Sequence, residues 1–251
     1  MIRTEGIVLS EIRYKETSKI INIYTEKLGK VHVMAKGAYK PKSQLIANTQ
    51  PFSHNNYMLQ KGRSFYYISQ GDILNSFYSM RESMERLIYG SYLLELVEKS
   101  TPEEEANEKL FSLLKKGLKV LSTLDRDFMK FIAAYELKFI SFLGYRPFLD
   151  GCVVCQSKDS VRYRFSNKEG GLICQNCFSS DYMARLVDRG VIESLSDLLY
   201  IPLDNLDEIM ISENTISRIH DILENYILYN IEGNAFNSLN ILNSFNINKE
   251  T

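Results

Sequence analysis

No run of uncharged apolar residues in the 251-residue chain approaches the roughly 18 that a membrane-crossing helix needs. The first residues, Met1-Ile2-Arg3-Thr4-Glu5, lead directly into patterned sequence without an apolar signal core, so the chain reads as cytoplasmic, with no membrane partner. Catalytic signatures are missing as well: there is no glycine-rich phosphate loop, no Gly-x-Ser-x-Gly and no catalytic triad. The three histidines, His32, His54 and His220, are followed by Val, Asn and Asp. None supplies the His-x-Glu that a zinc deaminase sets beside its cysteine pair, and each reads as a surface or hydrogen-bonded histidine. A metal-dependent nuclease needs clustered acids. Here the acids, Glu103 to Glu105 and Asp204 to Glu208, fall along helix faces where solvation or capping accounts for them. The chain reads as a binder rather than an enzyme.

Cysteine is scarce, yet its placement is informative. The four cysteines form two pairs, Cys152-Val153-Val154-Cys155 and Cys174-Gln175-Asn176-Cys177, at the C-x2-C-x15–20-C-x2-C spacing of a zinc site. Each pair lets one turn of backbone offer two thiolates to a single ion, and two such turns complete a tetrahedron. Gly151, Gly170 and Gly171 precede the pairs, where tight turns toward a metal use positive φ. In a reducing compartment such pairs point to metal rather than disulfides. With every position filled by cysteine no site remains for water, which makes the expected Zn(2+) structural. A redox role does not fit, because neither pair opens a helix after a buried strand.

Hydrophobic residues make up 45% and charged residues 24% of the chain, the profile of a folding globular protein long enough for two domains. The net charge of -1 conceals an asymmetry. Residues 1–80 hold eleven Lys or Arg against five acids, an excess of six, which leaves the remainder at -7. A polyanion would meet the N-terminal part.

Between Ile7 and Ile73 the texture is that of short strands: Gly6–Leu9, Lys19–Tyr24, Val31–Ala35, Tyr57–Leu59 and Phe65–Ile68. Lys27-Leu28-Gly29-Lys30 and Gln60-Lys61-Gly62-Arg63 fit hairpin turns. Five strands in about seventy residues predict a small closed β-barrel. The OB-fold leads, although periodicity alone does not separate it from an SH3-like barrel. After Ser79 the period becomes helical, with Met84, Leu87, Ile88, Leu94 and Val97 on one face. Thr101-Pro102-Glu103-Glu104 reads as a capping box opening a helix that runs to about Thr123. A further helix from Phe128 to Leu143, apolar around most of its circumference, ends at Gly144 with Pro147 beyond. Helical texture returns from about Ser180, and Ser212-Glu213 caps the last long helix. The fold class is therefore α+β and multidomain: an N-terminal five-stranded OB-fold barrel over 1–78, then an α-helical domain over 79–149 and 179–244. A four-cysteine zinc module at 150–178 is inserted in that domain, and 245–251 form a frayed tail.

Lys36-Gly37-Ala38-Tyr39-Lys40-Pro41-Lys42-Ser43 interleaves three cations with an aromatic ring and glycine, the composition of a loop that grips phosphates while a ring stacks on a base. Arg13-Tyr14-Lys15 and Lys61-Gly62-Arg63 carry the same mixture in other barrel loops. Three such segments in one basic unit favour nucleic-acid contact over plain solvation. The expected DNA-binding set is Lys15, Lys19, Lys36, Tyr39, Lys40, Lys42 and Arg63. Tyr66 and Tyr67 serve equally as core or as stacking platform. A zinc-ribbon transcription factor or RNA-binding factor is the competing class.

Gly6-Ile7-Val8-Leu9, Tyr14 through Ile20, Thr25 through Lys30 and Ala35 through Ser43 resemble the bacterial RecO recombination-mediator family. So do Glu136-Leu137-Lys138, Leu143-Gly144-Tyr145-Arg146-Pro147, Leu149-Asp150-Gly151-Cys152 and Phe165-Ser166 followed by Gly170-Gly171 and the second cysteine pair. The likeness runs in order over about residues 1–180. Some family members lack the cysteines; this chain has all four. The resemblance implies a nucleoid-associated protein of recombinational DNA repair. Such a protein binds single- and double-stranded DNA, anneals complementary strands and works with RecR to load RecA onto strands covered by single-strand-binding protein. It also implies a site in the helical half for the acidic, hydrophobic C-terminal peptide of single-strand-binding protein. An apolar pocket rimmed by cations suits such a peptide. Arg126, Lys130 and Lys138, beside Phe131 and Tyr135, are the candidates.

Overall fold

The computed structural model describes residues 1–231 and 236–247. The chain divides into two compact units, Met1–Leu124 with Ala235–Thr251, and Asp125–Asn234. The helices expected to form one domain are thus shared between the barrel's unit and the unit that carries the cysteines.

Unit 1 begins with five strands: β1 (Ile2–Tyr14), β2 (Ser18–Thr25), β3 (Gly29–Ala35), β4 (His54–Lys61) and β5 (Tyr66–Asn75). They close in the order β1-β2-β3-β5-β4, with β1 returning to β4 over Ile2↔Leu59 to Ile7↔His54. Only β3 and β5 run parallel, at Val33↔Tyr66 and Met34↔Tyr67. This is the OB-fold barrel that the strand count predicts. All five expected strands exist and are longer than the segments that alternation marks, although β5 begins at Tyr66 rather than Phe65. Closure comes from side chains that alternate inward: Ile21 and Ile23 of β2, Val31 and Val33 of β3, with Val8, Tyr57, Leu59 and Tyr66, all in one buried cluster. Truncating a fully buried Ile here to Ala should cost about 2–5 kcal/mol. The 4-residue helix α1 (Leu45–Asn48) lies between β3 and β4.

Three helices complete the unit: α2 (Met84–Ser100), α3 (Glu108–Leu121) and α7 (Asn237–Ile247). Ser83 caps α2 by accepting from the Arg86 N–H at 3.4 Å, and Asn107 caps α3 by accepting from the Leu110 N–H at 3.1 Å. The buried face of α2 differs from the expected one. Met84 and Leu87 are exposed, while Tyr89, Tyr92, Leu93, Leu94, Leu96 and Val97 are buried. The helix is flanked by β1, β2, α3 and α7, so its later turns bury most of their circumference. The capping box at Thr101 does not form. Thr101 ends α2, its hydroxyl donating to the Val97 carbonyl at 2.7 Å. Residues 101–106 instead run along the barrel, where Glu103 pairs with Lys30 and the Glu104 N–H donates to the Lys30 carbonyl at 2.9 Å. The close approach depends on Gly29, whose φ is +68 and where a Cβ would stand 1.9 Å from the Glu105 carbonyl oxygen. Helix α7 continues to Ile247, into the segment expected to fray, and residues 248–251 lie outside the described residues. Its N-terminus is held by Glu95 of α2, which accepts from the Asn237 N–H at 3.0 Å and the Ser238 N–H at 2.7 Å.

Unit 2 contains α4 (Phe128–Phe142), α5 (Arg189–Tyr200) and α6 (Glu213–Asn230), with strands β6 (Tyr163–Ser166), β7 (Gly171–Cys174) and β8 (Arg185–Val187). Helix α4 is buried along nearly its whole length and packs against α5 and α6, the central position that its apolar circumference predicts. It ends as expected: Gly144 takes φ +98, the Gly144 N–H reaches Ser141 and the Tyr145 N–H reaches Ile140. Ser212 caps α6 through the Thr215 N–H at 3.2 Å. The sheet order is β7-β6-β8. After a 3-10 turn over Gln175–Ser180 the chain returns to the sheet as β8, so α-helix resumes only at Arg189. Among the described residues no helix is long and apolar enough to cross a membrane.

Candidate metal centre and nucleic-acid interface

The four cysteines converge in unit 2. Their sulfurs all lie within 4.8 Å of one another, and Cys155 Sγ and Cys174 Sγ are 3.6 Å apart. Four thiolates at about 2.3 Å from a tetrahedral ion would stand roughly 3.8 Å apart, so the cage fits a metal of that size. Local backbone builds it. The Cys152 N–H donates to Ser157, the Gln156 N–H to Cys152 and the Val153 N–H to Leu172, which winds the first pair into a tight turn against β7. Gly171, at φ +156, lets Phe148 lie against β7, since a Cβ there would meet the Phe148 carbonyl oxygen at 2.3 Å. Cys152 and Cys174 are buried, Cys177 is half-buried and Cys155 is exposed.

Electrostatics favour a cation in this cage. Burial pushes the Cys152 thiol up, but the N–H groups of Cys155, Cys174 and Val154 outweigh it and bring the thiol down to about 6. Burial and the neighbouring thiols push Cys174 up, and push Cys177 up to about 12. One thiolate forms readily; four in one cage repel unless a cation compensates them. The donor set is all sulfur, which suits a structural ion of zinc's softness.

The basic residues of the barrel sort into three groups. Arg13, Tyr14 and Lys15 occupy the β1–β2 hairpin tip, where Lys15 takes φ 56. The loop after β3 folds onto that tip, the Tyr39 N–H donating to the Thr17 carbonyl at 2.9 Å and the Gly37 N–H to the Ser18 hydroxyl at 3.3 Å. Lys36, Lys40 and Lys42 are exposed on this loop, so it and the hairpin tip form one cationic end in which Glu11 and Glu16 are the nearby acids. Lys19 departs from the expected role. It belongs to the inward row of β2 with Ile21 and Ile23, is 3% exposed and ion-pairs with Glu11, so its ammonium is not available to a phosphate. Instead it lies 5.4 Å from the Tyr39 ring centroid, with the Arg13 guanidinium at 5.6 Å, and the two hold that ring in place. Arg63 is exposed on the β4–β5 turn, beside Lys61, which is ion-paired to Glu104 at 2.7 Å. Tyr66 and Tyr67 split the roles left open above: Tyr66 is core, whereas Tyr67 is half-buried with Lys36 Nζ 4.7 Å from its ring centroid. Arg13 and Tyr67 were absent from the expected set. Arg13 stands in a segment recognisable by composition, but Tyr67 is distinguished only by the strand register that turns it outward.

The α4 candidates are organised for packing. Lys130 is ion-paired to Asp127 at 3.1 Å and donates to the Ile209 carbonyl at 3.2 Å. Lys138 donates to the Leu198 and Leu199 carbonyls at 2.7 and 3.0 Å, where it caps the end of α5. Phe131 and Tyr135 are fully buried. The apolar pocket expected beside them is therefore filled by the protein itself, and Arg126 is the exposed cation of the three. The histidines are hydrogen-bonded or paired to acids: His32 Nε2 lies 2.7 Å from Glu103 and His54 Nε2 2.9 Å from Glu5.

Two family models match the chain, Recombination protein O N terminal over residues 1–77 and Recombination protein O C terminal over residues 81–240. A DNA repair protein RecO of Alkaliphilus metalliredigens is 36% identical over 241 residues, which is 96% of this chain and 98% of that protein. Proteins of the same name from Bacillus pumilus and Bacillus subtilis are 35% and 33% identical, each over 90% of this chain and 88% of its own length.

Proposed function

The chain belongs to the RecO family of DNA repair proteins, and from that premise we propose that it is a non-enzymatic mediator whose barrel binds single- and double-stranded DNA and anneals complementary strands. With RecR it helps to load RecA onto strands covered by single-strand-binding protein. The observation that carries the DNA-binding part is the folding of the Lys36–Lys42 loop onto the β1–β2 tip. It brings the exposed Lys36, Lys40 and Lys42 of the loop to the same end of the barrel as Arg13 and Lys15 of the hairpin, with Arg13 over the Tyr39 ring. Such a surface binds by counterion release, tracking phosphates with little regard for sequence. Annealing follows from the same chemistry, because a surface that neutralises phosphates lowers the repulsion between two strands.

The four cysteines, Cys152, Cys155, Cys174 and Cys177, would hold one Zn(2+). The ion supplies charge compensation and folding free energy, and four protein ligands leave it no position for water. For the tail peptide of single-strand-binding protein, Arg126, just before α4, alone of the three candidate cations remains. The function is tested by strand annealing with and without single-strand-binding protein. The reading expects faster annealing of both naked and covered strands at low salt. No acceleration of either would reject it.

A further inference from the structure

We infer that a recessed part of the barrel surface takes one unstacked nucleobase of a single strand, with Tyr67 as the ring beneath it and Lys36 as the cation that leaves that ring for the adjoining phosphate. This assignment rests on the DNA-binding reading above and names where on the barrel the strand is gripped.

The site is a cleft of about 410 Å³ lined in part by Met34, Lys36, Leu45, Gln60, Lys61 and Tyr67, within the range of small-ligand pockets. Its construction follows from strand register. Because neighbours on a strand face opposite ways, Tyr66 enters the barrel core and Tyr67 turns out. The parallel pairing Met34↔Tyr67 sets Tyr67 beside the end of β3, from which Lys36 departs. Gly62 of the β4–β5 turn lies close against the ring, where a Cβ would come within 2.5 Å of Tyr67 Cε2. Lys36 Nζ stands over the ring at 4.7 Å from its centroid.

That arrangement is a stacking platform with a removable cover. A lysine ammonium on a flexible stem holds a half-exposed ring weakly, and a base can displace it because every base presents a π-face. Lys36 is free to move: among the described residues it makes no ion pair, whereas Lys61, the other cation of the cleft, is held by Glu104 at 2.7 Å. Once displaced, Lys36 remains within the cleft as a phosphate partner. The Gln60 amide offers both a donor and an acceptor to a base edge. Tyr39 is not equivalent, because one of the two cations over it, Lys19, is buried and tied to Glu11. A base paired within a duplex cannot enter the cleft without leaving its stack, so this subsite acts on single strands.

The test uses the full-length protein and oligonucleotides carrying 5-iododeoxyuridine, photo-crosslinked and mapped by mass spectrometry. The expected result is a crosslink to Tyr67. Tyr67→Ala should weaken single-strand binding about 5- to 150-fold, with duplex affinity and the salt dependence nearly unchanged, and Tyr67→Phe should restore it. Lys36→Met should keep the crosslink while reducing the single-strand log-log salt slope by about 0.7. Crosslinks to Tyr39 without Tyr67, or a Tyr67→Ala variant that binds single strands as tightly as the parent or loses duplex and single strand alike, would overturn the assignment. Should Tyr67→Ala fail to fold, the parent's crosslink map decides alone. Crosslinks confined to Asp125–Asn234 would instead reject the barrel as the DNA site.

Discussion

The barrel and the cysteine module are both small β structures, yet they are held together differently. The barrel closes around eight buried residues, all apolar or aromatic, drawn from all five strands. In the module one buried cluster is Cys152, Ile173 and Cys174, so two of its three members belong to the four cysteines that could hold a metal. Its strands are 4, 4 and 3 residues long. The barrel closes on apolar contacts, whereas a metal held by the four converging thiols would add folding free energy to the module's shorter strands.

The sharpest way to break this contrast is to remove one thiol. Cys174→Ser, or chelation, should unfold residues around 150–187, because structural zinc sites supply roughly 10 kcal/mol or more of apparent folding free energy. The barrel's amides should keep their protection in hydrogen exchange, and metal analysis of the parent should find about one equivalent of zinc. The reverse perturbation is Ile23→Ala, which should destabilise the barrel by about 2–5 kcal/mol while leaving zinc content unchanged. A protein in which both variants melt both regions would show that the division is false.

A smaller effect concerns how α7 is attached to the barrel's unit. Burial pushes the Glu95 carboxyl up, but Lys99, Ser238 and the Ser238 and Asn237 N–H groups outweigh it and hold it below its ordinary value. A carboxyl depressed in the folded state contributes stability that is present above its unfolded value and lost as pH falls through its folded one. Hydrogen exchange in α7 should therefore quicken as pH drops below about 4. Glu95→Gln should weaken the attachment at neutral pH by about 1–3 kcal/mol and flatten that pH dependence.

The same contrast explains what could be read from the sequence. Inward alternation in Lys19 through Thr25 and Gly29 through Ala35 is a local signal, so the strands and a small closed barrel were legible, while the β1-β2-β3-β5-β4 order that separates an OB-fold from an SH3-like barrel was not. The cysteine spacing was legible because chemistry restricts it so tightly. Other features depended on distant partners. Lys19 reads as a free cation until β2's register turns it inward to Glu11. Thr101-Pro102-Glu103-Glu104 has every local mark of a helix start, but Gly29 and Lys30 of the barrel capture it. Lys130 and Lys138 resemble a ligand rim until the carbonyls of Ile209, Leu198 and Leu199 claim them. Charge and spacing reveal which groups could bind; tertiary contacts decide which are already occupied.

The division of labour itself predicts that DNA is held by the barrel's cationic end and that the metal module contributes structure. Salt-dependent fluorescence anisotropy on the triple variant Lys36→Ala, Lys40→Ala, Lys42→Ala tests this most directly. The account predicts weaker binding and a log-log salt slope smaller by about 2 on single strands, since each lost phosphate contact removes about 0.7. A variant with the parent's affinity and slope would remove the loop from the site and move the DNA interface to another surface, such as that around Arg162, Arg164 and Lys168.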